Sequence, residues 1–450
     1  MREISYFMGK YLKTSGAMLL SFTVGNFRSF KENKTFSMVA APAPISEMKE
    51  IVRNECNKDV LPVVAIYGAN SSGKSNLLLA MRTMCKVLRF SIRTNPSEEL
   101  DTDVFKLDEA FAGKPTHFEV ICTIESRIYR YGFEYNAAKV VREWLFDATK
   151  DEEKLLFVRN ENGIGCDAKF AEGKDKEEMT ADNRLFLSLV AQLNGEISRS
   201  IMNWFQNFIV VSAVNDDDFK RFSIDYISQN SQEANVAKDF LNELDLGFSD
   251  LKKTEISIED RHPRLREWLR GMHVENSPKI PFLDSKISFL ESGHDVRMSN
   301  GSTQVRFFPV DEMESAGTKK MLNISGPIAD TLAKGRTLVI DELDAKLHPL
   351  LTRKIIAQFN SRKSNSKNAQ LIFATHDTNL LGNKMLRRDQ IWFAEKDRDD
   401  MSTDIYPLSE IKEQNGDVIQ ERRVYEKDYI NGKYGAIPFI RNWDEETIAR

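Results

Sequence analysis

Gly68-Ala69-Asn70-Ser71-Ser72-Gly73-Lys74-Ser75 fits the pattern G-x-x-x-x-G-K-[ST] at every position. An uncharged apolar run, LPVVAIY at 61–67, precedes it, and NLLLAMRTMCKVLRF at 76–90, with helical periodicity, follows. A buried strand before and an amphipathic helix after are what this pattern needs to hold phosphate. The glycines let the backbone turn so that successive N–H groups point at phosphate oxygens, and the helix N-terminus adds partial positive charge. In such a loop Lys74 reaches the outer phosphates and the Ser75 hydroxyl ligates Mg²⁺, with Asn76 directly behind them. The loop does not choose between adenine and guanine.

Hydrolysis needs carboxylates at a second strand end. RTLVIDE at 336–342 supplies them: Asp341 to hold Mg²⁺ and Glu342 to polarise the attacking water. A further apolar run, QLIFAT at 370–375, ends in His376, whose imidazole could hydrogen-bond a terminal phosphate or orient the water. ESAGTKK at 314–320 opens a helix. Ser315 and Gly317 at that helix start make a second anion site, distinct from the first. Its simplest service is to the triphosphate of a partner copy; the alternative is an ordinary cap made by Ser315.

These side chains need a sheet to bring them together. From 317 onward helical and buried strand patterns alternate, which predicts a mostly parallel α/β sheet. Residues 117–135, 139–147 and 155–165 read as an antiparallel meander. Segments 184–193, 197–211 and 233–246 read as helices, and 286–292 with 303–310 as a hairpin with Asn300-Gly301 near its turn. The expected organisation is an extension over 1–17, a first ATPase lobe over 18–192, a helical insertion with the hairpin over 193–310, a second lobe over 311–400, and a closing tail over 401–450. Met18, just before the first strand-like run, is an alternative start to Met1.

Composition excludes other classes. Lys+Arg is 63 and Asp+Glu 68, a formal net charge of -5, so the chain is not coated in basic surface for nucleic acid. A local DNA contact remains open, with SRKSNSK at 361–367 as the basic candidate, more simply read as a loop. No apolar run is long enough for a membrane span. The 4 cysteines are far apart, neither a zinc set nor a disulfide framework, which fits reduced thiols and a cytoplasmic location. Asp216-Asp217-Asp218 and Asp397–Asp400 read as solvated charge runs.

Taken together, the phosphate loop, ESAGTKK, VIDE with Asp344 after it, and His376 resemble the ABC-type ATPase superfamily. ES-x-GT in place of the transporter LSGGQ is similar to SMC/Rad50-related and OLD-like heads. FTVGNFRSF followed by KTFSMVA, with DQIWF at 389–393 and GKYGAIP at 432–438, resembles the RloA/abortive-infection group of bacterial ATPases. That group includes the ATPase subunit of PARIS-type phage defence. The resemblance implies an α/β ABC-type ATPase head with a mixed, mostly parallel central sheet, an antiparallel β subdomain and an inserted helical lobe. It implies ATP and Mg²⁺, slow turnover, Arg28 on nucleotide phosphate, and Gln192 as a further metal ligand. It also implies head-to-tail ATP-sandwich dimers, a separately encoded effector of toprim-nuclease type, and a phage-encoded trigger. The chain departs from Rad50 in lacking heptads between Ser75 and Ser315, and from OLD proteins in the short stretch after His376. The competing expectation is a RecF/Rad50-like repair ATPase acting directly on DNA.

Overall fold

The computed structural model describes residues 17–42, 49–211, 219–229, 231–257, 286–382, 385–412 and 425–438. Almost all of the expected N-terminal extension, the Asp216–Asp218 run and the end of the tail lie outside the described residues. The chain forms two compact units. Of the described residues, one unit draws on those within 17–211, 331–345 and 349–438, the other on those within 219–330 and 346–348.

The first unit holds two sheets. A six-stranded sheet runs in the order Phe208–Val211, Thr337–Ile340, Gln370–Ala374, Val63–Tyr67, Ile391–Lys396, Thr403–Pro407. Its first five strands are parallel and the last is antiparallel. The inner strands are buried along their whole length, VVAIY, TLVI and QLIFA, as expected of strands covered on both faces. A seven-stranded antiparallel sheet follows the predicted meander, ordered Gly163–Cys166, Lys154–Asn160, Val140–Asp147, Arg127–Tyr135, Thr116–Ile124, Leu19–Gly25, Lys34–Ser37. The helix Lys74–Phe90 buries Leu77, Leu78, Met81, Met84, Cys85 and Leu88, one stripe at helical spacing. These residues and Phe118, Tyr131, Val339 and Ile372 belong to one continuous core. Gln370 ties the sheets together: its side chain accepts from Leu19 N at 2.6 Å and donates to Leu19 O at 3.0 Å.

The reading of 197–211 as one helix is corrected. The helix is Glu196–Gln206, and Phe208–Val211 is a strand paired with Thr337–Ile340 at the edge of the parallel sheet. The signal was available. Ile209-Val210-Val211 is a β-branched run that keeps a sheet better than a helix. The boundary expected at 193 consequently differs from the structure, where both elements belong to the first unit.

In the second unit, helices Lys220–Ile227 and Gln232–Glu243 accompany a three-stranded sheet, Asp250–Ser257, Lys286–Arg297 and Thr303–Pro309. Ile224, Ile227, Leu241, Leu290, Val310 and Leu322 form its core. The hairpin turns where Asn300-Gly301 predicted, with Gly301 N donating to Met298 O at 2.9 Å. The helix Ala316–Lys334 contains Pro327, which has no N–H to offer the carbonyl four residues back. Ser223 repairs the gap. Its hydroxyl donates to that Asn323 carbonyl at 2.5 Å and accepts from Gly326 N at 3.2 Å.

Candidate nucleotide site

Parallel register sets the site. Ala374 pairs with Ile66, and Ile340 with Phe373, so Gly68, Thr375-His376 and Asp341-Glu342 leave three adjacent strands at one carboxyl edge. That edge is where open α/β sheets bind ligands. Asp341 N donates to Val211 O at 3.1 Å and Leu343 N to Ala374 O at 3.1 Å, fixing the acidic turn to both flanking strands.

Within the loop, Ser71 has φ 65 and Gly73 φ 108. Gly73 is required twice: by that left-handed backbone, and because a Cβ there would run into the Thr403 side chain. Gly73 also occupies the N-cap of the helix without a side-chain cap, so no side chain competes with an anion there. The buried Lys74 ammonium donates to Gly68 O at 2.7 Å and Ala69 O at 3.0 Å. Burial pushes its pKa down to about 8, against the charges of Asp341, Glu342 and Asp344. The Asp341 carboxyl is held above the usual range, first by burial, although a hydrogen bond from Ser75 works the other way. Asp341 Oδ1, Asp344 Oδ1 and Ser72 Oγ are shielded from solvent and have no hydrogen-bond partner among the described residues. Orphaned acid oxygens beside a hydroxyl and a buried ammonium are the donor set a Mg²⁺–triphosphate requires.

Glu342 sits at φ 48, a costly conformation for a residue with a side chain. Such outliers persist where the surroundings over-determine them, and they concentrate at working sites. Asp344 accepts from His376 N at 3.3 Å and so ties the acidic turn to the histidine turn. Burial, and then the charge of Lys74, push the His376 imidazole below its ordinary value, while Asp344, Glu342 and Asp341 oppose that. From the C-terminal side, Glu426 Oε1 meets Thr378 Oγ1 at 3.1 Å, and the Tyr429 ring packs edge-on to Tyr67 at 5.8 Å.

Other expected residues make contacts of their own around the loop and its helix. Arg28 is ion-paired to Asp103 at 2.5 Å, in a groove beside Leu79, Arg82 and Lys86 of the phosphate-loop helix. The Asn76 amide donates to Ser29 Oγ at 2.8 Å. Gln192 is corrected. It ends the helix Phe186–Gln192, whose first turn is held by the buried Glu143 carboxylate, accepting from Phe186 N and Leu187 N. Ser188 of that helix donates to Leu88 O, about 20 Å along the phosphate-loop helix from Ser75 at 1.5 Å per residue. Gln192 is exposed at the end of that helix, which packs at the far end of the phosphate-loop helix from Ser75. The basic stretch at 361–367 is a loop that folds back on the chain, with Arg362 donating to Glu50 O and Val52 O.

Ser315 and Gly317 belong to the second unit. Ser315 is exposed, and its hydroxyl caps the helix by accepting from Thr318 N at 3.1 Å. Gly317 is there because its backbone passes close to Lys346 O, 2.7 Å from where a Cβ would stand.

A family model described as "AAA domain, putative AbiEii toxin, Type IV TA system" matches residues 63–382, which includes all three strand ends of the site. The chain belongs to this AAA-domain family. No curated protein is significantly similar to this AAA-domain chain in sequence. Among solved structures it is similar to an Smc head bound to the C-winged helix domain of ScpA, at 12% identity and TM-score 0.43, over 86% of this chain and 97% of that one. An SMC head domain from Thermotoga maritima gives 14% identity and TM-score 0.38, over 86% and 98%. An Smc head with an extended coiled coil, bound to the C-terminal domain of ScpA derived from Pyrococcus furiosus, gives 12% and 0.38, over 87% and 96%. Among the described residues no helix is long and apolar enough to cross a membrane.

The Lys74 environment sets a pH-dependent outcome. A triphosphate beside the ammonium favours its charged form, so binding above about pH 8 draws a proton from solution. Calorimetry of ATP–Mg²⁺ binding at about pH 8.5 should therefore give enthalpies that change with the buffer's ionisation enthalpy in the sense of proton uptake, and much less so at about pH 7. An enthalpy independent of buffer at the higher pH would separate Lys74 from the phosphates.

Proposed function

We propose that this AAA-domain chain is an ATP-binding and ATP-hydrolysing regulatory switch of an abortive-infection system. Two copies close head to tail about each ATP, and the output passes to a separately encoded effector, of the toprim-nuclease class, in response to a phage-encoded trigger. The observation that carries this reading is the carboxyl-edge cluster, in which parallel register sets the phosphate loop, Asp341-Glu342 and Thr375-His376 at the ends of adjacent strands.

Lys74 leaves the Gly68 and Ala69 carbonyls for the outer phosphates. Ser75 and Asp341 would hold Mg²⁺, which would supply neutralising positive charge to the phosphates. Glu342 takes the proton of the attacking water, and neutral His376 orients that water by hydrogen bonding. Ser315 and Gly317 present the exposed start of the helix Ala316–Lys334 to the triphosphate of the partner copy. A terminal phosphate held from both sides stabilises the closed pair over separate heads, and its loss on hydrolysis removes that difference.

Complementation between defective copies tests the clasp. Lys74→Ala and Ser315→Arg should each be inactive alone. Mixed in equal amounts they should recover part of the wild-type ATPase, because each mixed dimer keeps one intact site. No recovery in a mixture that still dimerises would sink the shared site.

A further inference from the structure

Thr403 is at 1% exposure and begins the strand Thr403–Pro407, far along the chain from the phosphate loop. Its hydroxyl lies 2.9 Å from Ser72 O and 2.8 Å from Ser29 Oγ, and Ser29 Oγ in turn lies 2.8 Å from Asn76 Nδ2. Thr403 N also donates to Ser29 O at 2.7 Å. Thr403 Oγ1 is the donor towards both Ser72 O and Ser29 Oγ, so its single proton is shared between them. The Asn76 amide donates to Ser29 Oγ. The chain of bonds runs Asn76, Ser29, Thr403, Ser72, and closes a ring across the outside of the turn that Ser72 and Asn76 bracket.

We infer that Thr403, oriented by Ser29, is a positioning residue that fixes the phosphate-binding shape of the loop. The peptide Ser72–Gly73 is planar and trans, so its C=O and N–H point in opposite directions. Holding the Ser72 carbonyl on Thr403 aims the Gly73 N–H the other way, into the cradle. Gly73 lies so close to Thr403 that a Cβ would collide with it, which leaves the peptide little room to rotate. Preorganised amides bind an anion without a reordering cost, and the half-buried network supplies that order before the ligand arrives. The residue of the NFRSF segment that reaches the loop is therefore Ser29, next to Arg28.

This inference rests on the loop's being an ATP site. Steady-state ATPase and direct ATP–Mg²⁺ binding should be measured on the full chain for Thr403→Val, Thr403→Ser, Ser29→Ala and the Val/Ala double variant. Thr403→Val should weaken ATP binding and raise KM about tenfold with kcat within about twofold, one buried hydrogen bond's worth of preorganisation. Thr403→Ser should stay near wild type. Ser29→Ala should weaken binding less than Thr403→Val, and the double variant should be no weaker than Thr403→Val alone, because the chain of bonds is already broken. Thr403→Val that binds like wild type, or Thr403→Ser as weak as Thr403→Val, overturns the inference. If Thr403→Val fails to fold, Ser29→Ala decides: wild-type affinity there overturns it. A wild-type chain that binds no ATP would instead overturn the proposed function.

Discussion

Glu342→Gln is expected to bind ATP–Mg²⁺ about as tightly as wild type and to turn over about a hundredfold to thousandfold more slowly, the usual contribution of a general base. The side chains have the same shape, and glutamine meets the same positive-φ backbone, so the turn at φ 48 is retained. Only the capacity to accept the water's proton is lost. On the proposed mechanism Lys74, Ser75 and Asp341 are untouched, so the triphosphate should stay bound and the paired heads should stay closed. Phosphate release and the ATP-dependent dimer fraction by light scattering are the two readouts. They should move oppositely, turnover down and dimer up. Unchanged turnover would remove Glu342 from its role, and low turnover without accumulation of dimer would break the link between hydrolysis and opening.

How much of this was legible in sequence depends on whether a residue's neighbours are near in the chain. The placing of the phosphate loop, the VIDE strand end and His376 at one edge could be read because each is a short apolar run with its candidate residue at the end, and parallel strands put such ends side by side. The strand Phe208–Val211 was missed because four apolar residues after an amphipathic helix continue its pattern as well as they start a strand. Gln192 was misplaced for a different reason. A lone glutamine carries no pattern, and the buried Glu143 carboxylate that sets its helix lies on a strand of the meander. The same holds for Ser29 and Thr403, whose partnership joins residues at opposite ends of the chain. Nothing in MSTDIYP distinguishes that threonine from any other strand position. Ser315 was read both ways, as a cap and as an anion site. The structure shows the cap, and its exposure leaves the anion role to experiment.

Lys74→Ala should abolish detectable ATP binding at ordinary concentrations while leaving the nucleotide-free fold close to intact. Alanine is the best helix former, and position 74 is the first residue of a helix whose buried stripe lies further along. Burial disfavours the ammonium and pushes its pKa down to about 8, so its removal relieves a desolvation cost that offsets the lost bonds to Gly68 and Ala69. The ligand has no such compensation. Charge-assisted hydrogen bonds contribute about 1.5–3 kcal/mol each, and losing two to the outer phosphates weakens binding by at least about a hundredfold. Asp341, Glu342 and Asp344, left without their cation, would further repel the triphosphate. The measurement is the shift in thermal midpoint on adding ATP–Mg²⁺, which follows mass action on the folded state. Wild type should shift upward with ligand concentration and Lys74→Ala should not shift, at similar ligand-free midpoints. A variant that shifts like wild type would show that the nucleotide, if bound, sits somewhere other than this loop. One that unfolds without ligand would show that the buried ammonium holds the carboxyl edge together, which the balance of burial and bonding argues against.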